Sequence, residues 1–241
     1  MHGLQAHFVL HARPYSNSSL LLELLSFEGA RYPAIAKGIK SGRGASAALL
    51  QPFRPLLLEL RGRGEVRTLG KLEAGGSAYL LSGDALFCGL YVNELLMRLL
   101  GRNDPHEGLF ALYCEILAQL ANGRGIPLGL RRFELGLLRL LGYGLLLDRE
   151  AASGAPVRPD RRYRYRIEAG PEPAAATAPE AETLAGATLL ALARGEPLDP
   201  QGLVEARRLM RRVLDHYLDG HPLRSRELFR HRFRRPGHGL K

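Results

Sequence analysis

A chain of 241 residues with 46% hydrophobic content is long enough for one large domain or two modest ones, which excludes disorder over its whole length. Its 34 Lys and Arg against 24 Asp and Glu leave a net charge of +10, and that excess points to a polyanionic partner, either nucleic acid or an acidic membrane surface. No basic segment leads into an apolar run and no apolar stretch reaches about 18 residues, so neither a signal peptide nor a membrane-spanning helix is expected; Cys88 and Cys114, set among apolar residues, fit a reduced cytoplasmic compartment.

From His7 to Glu73 short apolar runs alternate with turn residues, the pattern of strands. Strands are predicted at His7 to His11, Ser19 to Ser26, Arg31 to Ala36, Pro55 to Arg61 and Val66 to Leu72, with turns at Phe27-Glu28-Gly29 and Gly62-Arg63-Gly64. A short Ala-rich helix near Ala45 to Leu50 follows the third strand. This order suits an OB-fold, although a generic small barrel fits the periodicity nearly as well.

After Gly75-Gly76 the period becomes helical. Asp84 is the expected cap of a helix carrying Phe87, Leu90, Tyr91, Leu95 and Leu99; further helices are expected around His106 to Asn122 and Leu128 to Leu141, the last ended by Gly142-Tyr143-Gly144. Residues 148–182, rich in Gly, Pro and Ala but carrying Arg162-Tyr163-Arg164-Tyr165-Arg166, read as an irregular insertion with room for one hairpin. A short helix is expected from Thr183 to Arg194. Asp199-Pro200 then starts a long helix, stopped by Gly220 and Pro222, with Leu203, Ala206, Met210, Val213, Leu214 and Tyr217 as its apolar stripe. A last helix from about Ser225, through Leu228 and Phe229, runs into the basic stretch Arg230 to Arg235. The expected fold class is α+β: an N-terminal OB-fold β-barrel over residues 1–80 and a mainly α-helical domain over 81–241, without a zinc module.

The positive charge sits at the two ends. Residues 1–80 carry a net +5 and residues 201–241 a net +7, whereas 81–150 and 151–200 each carry −1. On the barrel Arg31, Lys37, Lys40, Arg43, Arg54, Arg61, Arg63, Arg67 and Lys71 form a candidate phosphate-binding surface. Phe8, Tyr15, Tyr32 and Phe53 lie nearby; for each ring a place in the barrel core is the commoner fate and stacking on bases the rarer one. On the long helix Arg207, Arg208, Arg211 and Arg212 form either an ordinary solvated face or a second DNA surface, with only Glu205, Asp215 and Asp219 as nearby acids. Arg131 and Arg132 open a largely apolar helix. They suit an acidic peptide ending in a hydrophobic residue, or equally an internal salt bridge to Glu134 or Glu150.

Reactive groups are sparse. No Gly-x-x-x-x-Gly-Lys-Ser/Thr loop, no Cys-x-x-Cys and no clustered His occur, and Glu180 and Glu182 stand without a His or Lys partner. No catalytic residue, metal or cofactor is therefore expected, and the chain reads as a non-enzyme.

Ordered motifs across some 220 residues resemble the bacterial recombination mediator family RecO: Phe8-Val9-Leu10-His11 with Arg13-Pro14, Ala36-Lys37-Gly38, Leu50-Gln51-Pro52-Phe53, Gly62-Arg63-Gly64-Glu65-Val66, Gly89-Leu90-Tyr91-Val92-Asn93-Glu94-Leu95-Leu96, Arg131-Arg132-Phe133-Glu134-Leu135, Leu141-Gly142-Tyr143-Gly144 and Pro222-Leu223-Arg224-Ser225-Arg226-Glu227-Leu228-Phe229. The resemblance implies an OB-fold before a helical domain, binding of single- and double-stranded DNA and annealing of complementary strands. It also implies partnership with RecR and with single-stranded DNA-binding protein, so that RecA is loaded on gapped DNA in a cytoplasmic, nucleoid-associated setting. Docking of that protein's acidic C-terminal tail on the helical domain is assigned to Arg131 and Arg132. Many members carry a four-cysteine zinc module where this chain has Asp148 to Arg166 and no Cys, which implies a metal-free branch. Two rival readings remain open at this level: a protein-interaction scaffold with incidental DNA binding, and a nuclease or ligase-like enzyme, against which the missing carboxylate and histidine constellation speaks.

Overall fold

The structure, a computed structural model, describes residues 3–39, 45–62, 64–175 and 177–227. The chain divides into two compact units, Met1–Gly123 with Pro222–Lys241, and Arg124–His221. The change of period at Gly75 is not where this division falls, because the first two long helices belong with the barrel.

In the first unit β1 (Gln5–Pro14), β2 (Leu20–Ser26), β3 (Arg31–Ala36), β4 (Pro55–Arg61) and β5 (Arg67–Ala74) close into a barrel of order β1-β2-β3-β5-β4, with α1 (Ala45–Leu49) between β3 and β4. The β3–β5 pairing is parallel, and the others are antiparallel. Alternation sends Val9, Leu22, Leu24, Ala34, Ala36, Leu56 and Leu58 into one core, which Leu50 also enters. This is the OB-like barrel that the strand pattern predicts.

β1 also packs outward, against α2 (Gly83–Leu99) and α3 (Leu109–Asn122). The Phe8 ring lies 5.0 Å from Tyr113 and 5.2 Å from Phe110. A register shift between Val9 and His11 takes Leu10 out of the β1–β2 ladder, and its carbonyl accepts instead from Asn93 Nδ2 at 2.9 Å. Tyr113 Oη donates to Asn93 Oδ1 at 2.7 Å, so the buried amide is satisfied on both sides. Two expectations shift by a few residues. Ser82, not Asp84, is the N-cap of α2, with Asp84 in the first turn where its charge opposes the helix dipole, and α3 starts only at Leu109 because Gly108 adopts φ +84°. After the second unit the chain returns as residues 222–227, where Glu94 accepts from the backbone N–H groups of Arg224 and Ser225 and from Ser225 Oγ. Leu228, Phe229 and the basic stretch Arg230 to Arg235 lie outside the described residues.

The second unit holds α4 (Ile126–Leu140), β6 (Arg162–Arg166), β7 (Gly170–Pro173), β8 (Leu184–Ala185), α5 (Gly186–Arg194) and α6 (Pro200–Tyr217). The expected irregular insertion is in large part an ordered three-stranded sheet, β7-β6-β8. Alternation along β6 buries Tyr163 and Tyr165 and turns Arg162, Arg164 and Arg166 the other way. Leu184-Ala185 pairs with β6, so α5 begins at Gly186 rather than Thr183; a Cβ at Gly186 would stand 1.9 Å from the Arg158 carbonyl oxygen. α6 starts as expected, with the Asp199 side chain accepting from Gly202 N at 2.6 Å. Its buried stripe takes in Leu209, with Leu203 only half-buried, and contains Glu205. That carboxylate is fully buried and accepts from Arg162 Nη2 (2.8 Å), Ala185 N (2.9 Å) and Thr188 Oγ1 (2.8 Å).

Candidate nucleic-acid interface

Strand register brings together cations that are distant in sequence. Arg13 pairs with Leu21, Leu21 with Ile35, Ile35 with Thr68, and Thr68 with Arg61. Residues in direct register share a face, and since Leu22 and Ala34 point inward, this row points outward. At a strand spacing of about 4.8 Å the row runs roughly 19 Å over the barrel surface. Arg13 and Arg61 stand at its ends, both exposed, with exposed Lys37 just past β3, whereas Arg67, in register with Ala34, lies on the opposite face of β5. Arg13 was not among the expected contacts. Only pairing across five neighbouring strands reveals it.

The expected barrel residues separate by what they touch. Lys37 is exposed and Arg54 half-buried, and neither makes a hydrogen bond or ion pair among the described residues. Arg61, its side chain 63% exposed, lies 3.0 Å from Glu59, whose carboxyl the guanidinium holds below the usual carboxylate range; exposed Lys71 lowers it further. Arg67 lies 4.0 Å above the Tyr32 ring, a cation–π contact that engages both. Arg31 is not on the surface. Its side chain is 13% exposed, Nη1 donates to Met97 O at 2.7 Å and Nε lies 3.9 Å from Glu23, so it ties β3 to the last turn of α2. Phe8, Tyr32 and Phe53 are buried, while Tyr15, in the tight turn after Arg13, is 61% exposed. Lys40, Arg43 and Arg63 lie outside the described residues.

In the second unit most of the candidate arginines have partners. Arg208 donates to the carbonyls of Glu180 (3.3 Å) and Thr183, Arg211 lies 3.8 Å from Asp215, and Arg212 donates to Tyr165 O at 3.4 Å. Arg207 is exposed and makes no hydrogen bond or ion pair among the described residues. Of the two readings of the Arg131 and Arg132 pair, the internal one holds for Arg131, which is buried and ion-paired with Glu134. Arg132 is exposed and donates to the Gly195 carbonyl at the end of α5. Among the described residues no group of three or more His, Cys, Asp or Glu could hold a metal, and no helix is long and apolar enough to cross a membrane.

A closed OB-like barrel with an outward cationic row, followed by a mainly helical region, is the class of protein this fold defines. The chain belongs to the RecO family: the family model described as Recombination protein O N terminal matches residues 3–77, and that described as Recombination protein O C terminal matches residues 80–227. It is 50% identical over 223 residues to the DNA repair protein RecO of Methylococcus capsulatus, covering 92% of this chain and 91% of the relative. It is similar also to the proteins of that name from Nitrosospira multiformis, 45% identical with 94% of both chains covered, and Pseudomonas aeruginosa, 45% identical with 96% of this chain and 97% of the relative covered.

Proposed function

We propose that the chain is a DNA-binding recombination mediator acting without fuel, metal or reactive side chain, and that it anneals complementary strands. Family membership supports the role in DNA repair and recombination. The observation that carries the DNA-binding reading is the outward row ending in Arg13 and Arg61, with Lys37, Arg54, Arg67 and Lys71 on the same barrel. Cations on this surface neutralise phosphates of a bound strand and release their counterions, which lowers the repulsion opposing the approach of a second strand. In the second unit Arg207, with the more weakly tied Arg211 and Arg212, is the candidate phosphate contact. Arg31 and Arg131 are left out, because each is committed inside the fold.

The test is the salt dependence of binding to fluorescent single-stranded DNA. Replacing Arg13, Lys37, Arg61 and Lys71 by Ala together removes about four contacts, which flattens the slope of log affinity against log salt by roughly three, at about 0.7 per phosphate. An unchanged slope rejects the barrel row as the DNA surface.

Cooperation with RecR, with the tail of single-stranded DNA-binding protein and in RecA loading belongs to the same proposal. For the tail, Arg132 is the exposed cation beside the α5 end, so Arg132→Ala abolishes binding of an acidic tail peptide. A pure interaction scaffold keeps the peptide affinity and shows negligible annealing by the protein alone.

A further inference from the structure

Two helix ends in the second unit close in the same manner and meet. At the end of α4, Gly142 takes φ +85°, its N–H donates to Arg139 O at 3.1 Å, and Tyr143 N donates to Leu138 O at 2.8 Å, the paired bonds of a Schellman closure. At the end of α6, Asp219 takes φ +49°, its N–H donates to His216 O at 3.2 Å, and Gly220 N donates to Asp215 O at 3.3 Å. These closures fix Tyr143 and Tyr217 in a stack, with ring centroids 4.4 Å apart and planes at 26°. His216 meets the Tyr217 ring edge-on at 5.1 Å, so Tyr217 is the inner layer. Tyr143, the outer layer, is 46% exposed. Both rings line a shallow recess of about 60 Å³ with Leu146, Tyr165, Ile167 and Val213.

An aromatic ring held rigidly with so much of its surface in water is a platform, and its surroundings say what would lie on it. Two helix C-termini converge there, and their carbonyl ends carry partial negative charge, which disfavours an anion directly on the stack. A neutral flat ring with N–H donors suffers no such penalty. Exposed Arg212 donates to the carbonyl of Tyr165 at 3.4 Å and exposed Arg139 lies beside Gly144, both next to lining residues, whereas the nearby acids Glu168 and Asp215 already face His216 at 3.2 Å and Arg211 at 3.8 Å. Burial, with Glu168 and Tyr143 close by, pushes the Tyr217 phenol above its ordinary value, so the inner ring stays neutral.

We propose that Tyr143 is a stacking platform for an unpaired nucleobase, with Arg139 and Arg212 meeting the phosphates on either side. This rests on the DNA-binding reading above and deepens it. In a duplex both faces of each base are already covered, so a site that reads base faces selects single strands, whereas the barrel row reads charge alone.

The experiment compares the full chain with Tyr143→Ala and Tyr143→Phe on three probes: oligo(dT), an abasic oligomer of equal length, and a duplex. Tyr143→Ala loses about five- to a hundredfold on oligo(dT), the range for losing one base–aromatic stack, and nothing on the other two. Tyr143→Phe, which keeps the ring, stays close to the parent. An equal loss on oligo(dT) and the abasic oligomer, or no loss on oligo(dT), overturns the platform while leaving the phosphate-binding reading intact. Failure of the unaltered chain to bind any probe removes that reading instead. Photocrosslinking of a 5-iododeoxyuridine strand to the unaltered chain is independent of variant folding: an adduct at Tyr143 supports the site, and adducts only elsewhere overturn it.

Discussion

Most arginines of the second unit are tied to acids or carbonyls, whereas Arg13 and Lys37 on the barrel have no partner among the described residues, although the sequence presents both as basic runs. On β6, Arg162, Arg164 and Arg166 each meet a carboxylate: Glu205 at 2.8 Å, Glu182 at 2.8 Å and Glu172 at 3.2 Å. Arg158 meets Asp160 at 2.8 Å, and Arg208 holds two carbonyls at the start of β8. These side chains are cross-ties of the fold, and their fields are largely cancelled close by. Arg13 and Lys37 have no such partner among the described residues. The difference teaches that charge density along a chain does not measure the charge offered to a polyanion; the positions of the acids decide it.

The sharpest way to break this comparison is Arg162→Met. The change leaves the fully buried Glu205 with only Ala185 N–H and the Thr188 hydroxyl as donors. Because the Arg162 side chain is 38% exposed and Glu205 keeps two other donors, losing this partner costs about 1–3 kcal/mol. Urea unfolding should show that loss, while the salt slope of DNA binding, corrected for the folded fraction, stays at its original value. Arg13→Met does the reverse: stability holds within about 0.5 kcal/mol and the slope falls. If both variants changed the slope alike, the division into tied and untied cations would be wrong.

A smaller effect separates the units by pH. His7, buried at 1% exposure in β1, donates from Nδ1–H to Gln5 O at 2.9 Å, and burial lowers its pKa below the ordinary 6.5, with Arg67 acting in the same direction. A base whose folded pKa is depressed contributes stability that is complete above the unfolded pKa and is lost as pH falls below it. Unfolding of the first unit should therefore be insensitive to pH above about 7 and weaken progressively below about 6.5. His7→Gln should flatten that decline. A decline that persists unchanged in the variant assigns it to another group.

Much of the barrel was legible because period-two alternation is local: β3 and β4 fall at the expected residues, and the other strands differ by a few positions at their ends. The Asp199 cap was legible for the same reason. The cationic row was not, since it depends on register through β2, β3 and β5, including one parallel pairing that no hairpin announces. Arg31 was misplaced because its fate is set by Glu23 across the β2–β3 ladder and by the end of α2, 66 residues away. Two further features are legible in helix spacing. Glu134 stands at i+3 from Arg131, the spacing of a helical ion pair. Glu205 falls in line with Leu209 and Val213 at i+4 and i+8, so helix geometry alone places it on the buried stripe. The Arg-Tyr alternation of β6 was already a strand signal inside a stretch that otherwise reads as irregular.

The finest test of the comparison moves a single acid. Glu59 is the carboxylate nearest the row, ionised and held so by Arg61 at 3.0 Å and by Lys71. Both members of the Glu59–Arg61 pair are solvent-facing, and exposed pairs of this kind contribute little to folding. Glu59→Gln should leave the unfolding midpoint where it is, release Arg61 toward a phosphate and raise the charge of the barrel by one. At a separation of about 7 Å in water that charge strengthens single-strand binding by about two- to threefold at low salt, and the gain fades as screening increases. The equivalent change in the second unit, Asp160→Asn beside Arg158, frees an exposed arginine at a place to which no strand is assigned, and DNA affinity there should not move. Equal gains from the two variants would mean that DNA responds to net charge rather than to the row, and the registered geometry would then carry no information about where the strand lies.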